Sequence, residues 1–288
     1  MSVAEYVYLI IGGAPKAGTS SIYKYLADHP QICPSSLKET RFFLDQEDIL
    51  PSVERFDGNN LERYGEFFTQ CKEDKRIRME ATPDYLYSQQ ALNIFKLLPL
   101  SKLIFIVRDP IERLISWYKY AKQRGLLDNA ASFDTYVRMQ INLAKSPLTP
   151  VHLRALDQGR YDYYLSIFCQ NMNKRVLVIQ FNELRDNPSS VMEKICDFSG
   201  IDSNYYNNYR FTVENESVAV RNQLIERLYL SVRRKIEFYA HNNRTLKACS
   251  RVPNRIIKKM LSINKQHADD VYIDPDTKDL LMKYYDIQ

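Results

Sequence analysis

The chain has 288 residues, of which 45% are hydrophobic and 26% are charged. These fractions exclude a disordered, collagen-like or coiled-coil protein, and the length predicts a single domain over residues 1–288. No apolar run reaches the roughly 18 to 20 residues of a membrane span, and the run at residues 6–11 is too short for the core of a signal peptide. We therefore expect a cytoplasmic protein with no membrane partner.

The cysteines also favour a reducing compartment. Five are scattered along the chain and none forms a CxxC pair: Cys33, Cys71, Cys169, Cys196 and Cys249. An odd number at such spacings argues against a disulfide framework and against a zinc site.

Positive charge is concentrated near the carboxyl terminus. The net charge is +5, yet residues 221–265 contain twelve Lys or Arg and only two acids. Such a stretch prefers anions, so one hypothesis is a module that binds nucleic acid or another anionic surface. The basic residues are interleaved with apolar ones as in an amphipathic helix with a solvated face, which favours the interpretation without a nucleic-acid partner.

Three apolar runs predict buried strands, at residues 6–11, 103–107 and 176–181. Helical periodicity follows each run, beginning near Ser20, Ile111 and Ser189, and also marks residues 161–172. Strands that alternate with helices predict an α/β fold with three layers, a central parallel sheet flanked by helices. Residues 45–60 and 141–159 read as loops, and the tyrosine-rich stretch from Ser203 to Asn215 reads as an ordered loop whose rings need a packing partner.

The turn after the first strand is almost a phosphate-binding loop. Gly13 and Gly18 keep the spacing of the G-x-x-x-x-G-K-[ST] pattern, but Thr19 occupies the lysine position and Lys16 lies inside the turn. Backbone N–H groups at a helix N-terminus attract anions. An ordinary βα turn is the alternative, but Lys16, Thr19 and Ser20 together favour phosphate or sulfate binding.

At this point the chain resembles a known family. The stretches IIGGAPKAGTS at residues 10–20 and KETRFF at residues 38–43 resemble the opening of sulfotransferases that use 3′-phosphoadenosine 5′-phosphosulfate (PAPS), in their bacterial and heparan-sulfate-type branch. VRDPIERLISWY at residues 107–118 resembles that family's 3′-phosphate-binding segment, and LVIQFNELRDNP at residues 177–188 resembles a later strand and turn. The resemblance covers about residues 6–230 in the same order, and it implies a P-loop-like sulfotransferase fold.

The resemblance assigns residues to the PAPS site. Lys16 would contact the bridging oxygen of the leaving phosphate as a catalytic cation, where charge builds during transfer. A guanidinium and a hydroxyl suit the 3′-phosphate, although a lone arginine at a strand end is otherwise more often part of a structural salt bridge. The cofactor-binding residues implied are Lys16, Ala17, Gly18, Thr19, Ser20, Arg108, Ser116 and Arg221.

On the acceptor side, an attacking hydroxyl needs a base. The resemblance puts the catalytic glutamate at Glu39, whereas without it Glu39 would be an ordinary solvated charge. His152, in the irregular 141–159 loop, is the alternative base, because cytosolic sulfotransferases use a histidine.

Thr82, Asp84 and Tyr85 are candidates to line the acceptor pocket together with Glu39, and a capped helix start after Pro83 is the alternative interpretation. The heparan-type branch has a lysine at the position of Ala81. Its absence here weakens the case for a sulfated polysaccharide as acceptor.

These observations predict a PAPS-dependent sulfotransferase that acts on a hydroxyl or amine of a small molecule, such as a microbial natural product or toxin. A small-molecule or nucleotide kinase on the same core is the alternative, but it would need lysine at position 19. The transferred sulfuryl group carries less negative charge than the terminal phosphoryl group of ATP, so we expect no metal. The sequence does not predict an oligomeric state.

Overall fold

The computed structural model describes residues 5–287 except 73–76, 129, 142, 144–145, 147, 213–217, 221–264 and 268–270. Two compact units make up the chain. The first comprises residues 1–113 and 144–215, and the second comprises residues 114–143 and 216–288. The basic stretch at residues 221–265, including Arg221, lies outside the described residues except for Lys265.

The first unit is built on a five-stranded sheet. Its strands in chain order are β1 (Val7–Gly13), β2 (Ile32–Pro34), β3 (Ile77–Ala81), β4 (Ser101–Val107) and β5 (Val176–Gln180). Their spatial order is β2-β3-β1-β4-β5, and every neighbouring pair is parallel. The residues of β1 from Tyr8 onward are all buried, so other elements cover both faces of the sheet. The predicted α/β class is confirmed.

Helices alternate with these strands. They are α1 (Thr19–Asp28), α2 (Gln89–Leu97), α3 (Pro110–Gln123), α4 (Phe133–Ile141), α5 (Tyr161–Met172), α6 (Phe181–Asp186), α7 (Pro188–Ser199) and α8 (Pro275–Tyr284). The four predicted helices correspond to α1, α3, α5 and α7. The side chain of Asn187 caps α7 by accepting a hydrogen bond from the Ser190 N–H. The second unit also contains a short antiparallel pair, β6 (Val218–Val220) and β7 (Lys265–His267).

Two cysteines contradict the sequence prediction. Cys33, in β2, forms a disulfide with Cys71, which lies 38 residues later with its Cα atom 5.7 Å away. The prediction of no disulfide was wrong because sequence spacing does not show that the two positions meet across the fold. Disulfides persist mainly in oxidising compartments, so the cytoplasmic expectation loses the support it drew from the cysteines.

The tyrosine-rich segment packs on α1. Hydroxyl groups of Tyr205 and Tyr206 donate to the backbone carbonyls of Asp28 and Tyr25, respectively, and that of Tyr209 donates to the Asp28 carboxylate. The rings of Tyr206 and Tyr209 lie 5.4 Å apart between centroids, edge to face. For these tyrosines the predicted packing role is confirmed.

Candidate active site

Three neighbouring strands end at one edge of the sheet in the first unit. Because β3, β1 and β4 are adjacent and parallel, their carboxyl ends lie side by side. Lys16 follows β1, Arg108 follows β4, and Asp84 follows β3. Open α/β sheets bind ligands at this edge, so the topology brings these predicted site residues to one region.

The turn between β1 and α1 is held in place by its backbone. The Ala14 N–H donates to the carbonyl of Ile106 in β4 at 2.8 Å. Lys16 has a φ of 70° and is partly exposed, while Ala17 is buried. Gly18 has a φ of 93°, directly before α1 begins at Thr19, and a side chain there would be strained. The turn presents a helix N-terminus and one partly exposed lysine.

Phe181 lies against both Gly18 and Arg108. A Cβ atom at Gly18 would lie 3.1 Å from the Phe181 ring. The Arg108 guanidinium lies 4.6 Å from the centroid of the same ring. The turn and the arginine therefore flank one aromatic side chain. The Nε of Arg108 also donates to Glu112 at 3.1 Å, so the structural salt bridge considered in the sequence analysis is present as well.

The two other residues predicted to bind the 3′-phosphate belong to the second unit. Ser116 is a buried residue of α3 and belongs to the second unit. Arg221 lies outside the described residues.

The segment that carries Glu39 is fastened to the end of β3. The Ala81 N–H donates to the carbonyl of Lys38 at 2.9 Å. On the other side of Glu39, the Arg41 N–H donates to the Thr82 hydroxyl at 3.1 Å. Glu39 is thus fixed on both sides, although it follows the short strand β2 and is distant in sequence from β3.

A buried carboxyl group holds the segment that carries Glu39 against the end of β3. Glu80 is fully buried and accepts hydrogen bonds from the hydroxyls of Thr40, Tyr64, Thr82 and Tyr85 at 2.6 to 3.0 Å. Burial raises the pKa of Glu80, and these hydrogen bonds oppose the rise. Thr82 and Tyr85, predicted to line the acceptor pocket, are fully buried with their hydroxyls on this carboxyl group.

No role for Glu80 was predicted from the sequence. The available signal was a glutamate next to Ala81 and Thr82 and close to tyrosines that could donate to it, since the strand around it was not predicted. A buried carboxyl group needs such partners.

Charged groups surround Glu39. Arg41 donates to its carboxylate at 2.7 Å, and the Lys38 ammonium lies 3.7 Å from its other oxygen. The same ammonium donates to the Ser20 hydroxyl at 2.8 Å. Lys38 therefore connects the turn at α1 with the predicted base. Burial lowers the pKa of Lys38, and the charge of Glu39 opposes that shift.

A second carboxyl group lies close enough to interact with Glu39. Burial, and then the charge of Glu39, raise the pKa of Asp84 to about 7, against the opposing charge of Arg41. Asp84 is partly exposed, in the 3₁₀ turn that begins at Pro83. The predicted helix start after Pro83 is thus a single 3₁₀ turn, and Asp84 remains accessible to a ligand.

The turn that contains His152 is followed by a residue whose charge acts on Asp84. His152 is partly buried in a 3₁₀ turn, and burial lowers its pKa. Two residues later, Arg154 pairs with Asp48 at 2.7 Å, and both of these charges act on Asp84. Arg154, two residues after the alternative base, therefore lies close enough to Asp84 to act on its charge.

Within the described ranges, no cluster of three or more His, Cys, Asp and Glu side chains could hold a metal ion. Across the same ranges, each helix is too short or too polar to cross a membrane.

The protein is an α/β protein with a parallel sheet and a P-loop-like turn that contains a lysine. A family model described as Sulfotransferase domain matches residues 8–251. The chain belongs to the sulfotransferase family.

Individual relatives agree with this assignment. The bifunctional heparan sulfate N-deacetylase/N-sulfotransferase 4 of Mus musculus is 30% identical over 207 residues, covering 69% of this chain and 22% of that protein. The membrane-associated sulfotransferase kil1 of Dictyostelium discoideum is 34% identical over 117 residues, covering 40% of this chain and 23% of that protein. The chain therefore spans less than a quarter of the length of these two relatives.

A solved structure confirms the fold. The crystal structure of a sulfotransferase from Alicyclobacillus acidocaldarius matches 83% of this chain and 95% of that chain, with a TM-score of 0.58 and 24% sequence identity.

Proposed function

We propose that this protein transfers the sulfuryl group of PAPS to a hydroxyl or amine of a small-molecule acceptor. One observation carries the proposal: Gly18 of the P-loop-like turn and Arg108 of the neighbouring strand end flank the same Phe181 ring. An anion-binding turn and a guanidinium at this spacing suit a nucleotide with phosphates at both its 5′ and 3′ positions.

In this proposal the turn binds the 5′ end of PAPS. Ala17, Gly18, Thr19 and Ser20 offer backbone N–H groups and hydroxyls to the 5′-phosphate, and Lys16 stabilises charge on the departing oxygen. Arg108 binds the 3′-phosphate, and the family resemblance assigns Ser116 and Arg221 to the same phosphate. Arg108 donates to Glu112 through its Nε, so the 3′-phosphate would be bound by the terminal N–H groups of the guanidinium.

Glu39 takes the acceptor proton as the acceptor attacks sulfur. Its position supports this role, since the ammonium of Lys38 contacts both Glu39 and the PAPS-binding turn. His152 remains the alternative base. Asp84 is the accessible acceptor-side carboxyl group, while Thr82 and Tyr85 act on the acceptor through the segment they hold.

The acceptor class follows from charge. The carboxyl groups of Glu39, Asp48 and Asp84 are matched in number by Lys38, Arg41 and Arg154. Ala81 replaces the lysine of the heparan-type branch, so these groups carry no excess positive charge. A neutral or cationic small molecule, such as a natural product, suits this surface better than a polyanionic polysaccharide.

The experiment is thermal-shift titration with adenosine 3′,5′-bisphosphate (PAP) and with ATP, followed by transfer of ³⁵S from labelled PAPS to a panel of phenols, alcohols and amines. We expect PAP to stabilise the protein much more than ATP, since ATP lacks the 3′-phosphate. Arg108→Ala should weaken PAP binding about tenfold or more, as expected for loss of a charge-assisted contact. The control is Arg185→Ala, because Arg185 is an exposed arginine paired with Asp186. Equal stabilisation by ATP, or no sulfuryl transfer to any acceptor, would overturn the proposal.

A further inference from the structure

The ammonium of Lys38 occupies the space between the PAPS-binding turn and the base. It donates to the Ser20 hydroxyl at 2.8 Å and lies 3.7 Å from a carboxylate oxygen of Glu39. Ser20 belongs to the first turn of α1, where the 5′-phosphate is proposed to bind. A group that leaves PAPS at Ser20 for an acceptor activated by Glu39 must therefore pass close to Lys38.

We propose that Lys38 is a second catalytic cation, whose ammonium contacts the sulfuryl group during its transfer. The inference rests on the function proposed above and adds a residue to that same site. In the step, the bond from sulfur to the bridging oxygen breaks and its electron pair stays on the 5′-phosphate. The bond from the acceptor oxygen or nitrogen to sulfur forms, and the acceptor proton moves to Glu39.

The chemistry of an ammonium suits this task. It has three N–H donors, and the hydrogen bond to Ser20 uses one of them, while Glu39 is a charge neighbour at 3.7 Å. The Lys38 side chain is 30% exposed, so a ligand can reach it. Because the transferring group carries negative oxygen atoms throughout the step, a fixed cation stabilises it where water is partly excluded.

The backbone shows why the cation comes from position 38. Ala81 occupies the position where the heparan-type branch has a lysine, and its N–H donates to the Lys38 carbonyl. The residue that carries the ammonium is therefore a backbone neighbour of the position that lacks a lysine. The Glu80 network, which anchors Thr40 and Thr82, keeps this segment in register with β3.

The test compares Lys38→Met with Lys24→Met. Lys24 is a matched control, since it lies on α1 and donates to the Thr212 hydroxyl, in contact with another segment. We expect Lys38→Met to lower kcat about 100-fold, the usual loss for one such electrostatic contact. PAP contains no sulfuryl group, so its Kd should change less than about threefold. The preference for PAPS over PAP, measured by calorimetry, should fall about tenfold, and Lys24→Met should change none of these values.

Two further variants exclude a purely structural role. Lys38→Gln keeps a hydrogen-bond donor without the charge and should be as slow as Lys38→Met, whereas Lys38→Arg should recover part of the rate. An unchanged kcat, or an equal loss of PAP and PAPS affinity, would overturn the role of Lys38 while the wild type still binds PAP and transfers sulfate. Failure of the wild type itself to bind PAP would instead overturn the proposed function.

Discussion

The two sides of the site, the side proposed to bind PAPS and the side proposed to bind the acceptor, are built in different ways. On the PAPS side, one short turn and the next strand end supply the groups, and backbone geometry positions them: Gly18 has a positive φ and Ala14 is bonded to β4. On the acceptor side, side chains from distant parts of the sequence converge on Glu80, while Glu39 is paired with its neighbours Lys38 and Arg41. A cofactor of fixed shape can be bound by backbone, whereas the acceptor side depends on charges that single substitutions can change.

The largest effect is expected on the PAPS side. Lys16→Ala should lower the transfer rate about 1000-fold or more, because it removes the cation proposed to stabilise the leaving oxygen. The backbone of the turn remains, so the melting temperature should stay within a few degrees of the wild-type value. Initial rates with ³⁵S-labelled PAPS and a thermal melt of the same sample measure both quantities. Full activity in this variant would show that backbone donors alone activate the leaving group.

On the acceptor side the base is the decisive group. Glu39→Gln should lower kcat about 100-fold with little change in PAP affinity, the usual size of a general-base effect. His152→Ala is the paired variant, and a loss of less than about fivefold is expected. If the two losses were reversed, His152 would be the base and Glu39 would serve mainly as the partner of Arg41.

The same contrast explains what sequence could predict. The turn at residues 13–20 and the strand end before Arg108 were predictable because each is recognised from one short, contiguous stretch of sequence. The acceptor side was predictable only in part. Glu39 came from the family resemblance, whereas the partners that fix it depend on β3, which the sequence analysis missed because Arg78 and Glu80 interrupt its apolar pattern.

Contacts between residues distant in sequence were not predicted either, because local patterns do not show them. The Cys33–Cys71 disulfide and the link from Lys38 to Ser20 join positions whose spacing carries no periodic signal. Their proximity is a consequence of the packed sheet and its loops, and local pattern cannot show it.

The smallest effect tests the charge of the acceptor side. The pKa of Asp84 is about 7 in the folded protein and near its ordinary value of 3.8 in the unfolded chain. Between these values the folded state binds a proton that the unfolded state has released, so the free energy of unfolding falls as pH rises from 4 to 7. Above pH 7 the carboxylate is charged in both states and the loss is complete.

Asp84→Asn removes this dependence. At pH 8 the variant should be more stable than wild type by about 1 kcal/mol, well below the full value of the shift because Asp84 is partly exposed. At pH 4.5 the difference should be much smaller, since wild-type Asp84 is then mostly protonated when folded. Urea unfolding at the two pH values measures this difference in stability.

Glu39 and Asp48 raise the Asp84 pKa while Arg41 and Arg154 lower it, so Glu39→Gln should reduce the effect of Asp84→Asn. An Asp84→Asn effect that is the same at both pH values would mean that the pKa of Asp84 is not raised and that its carboxylate is solvated in the folded protein.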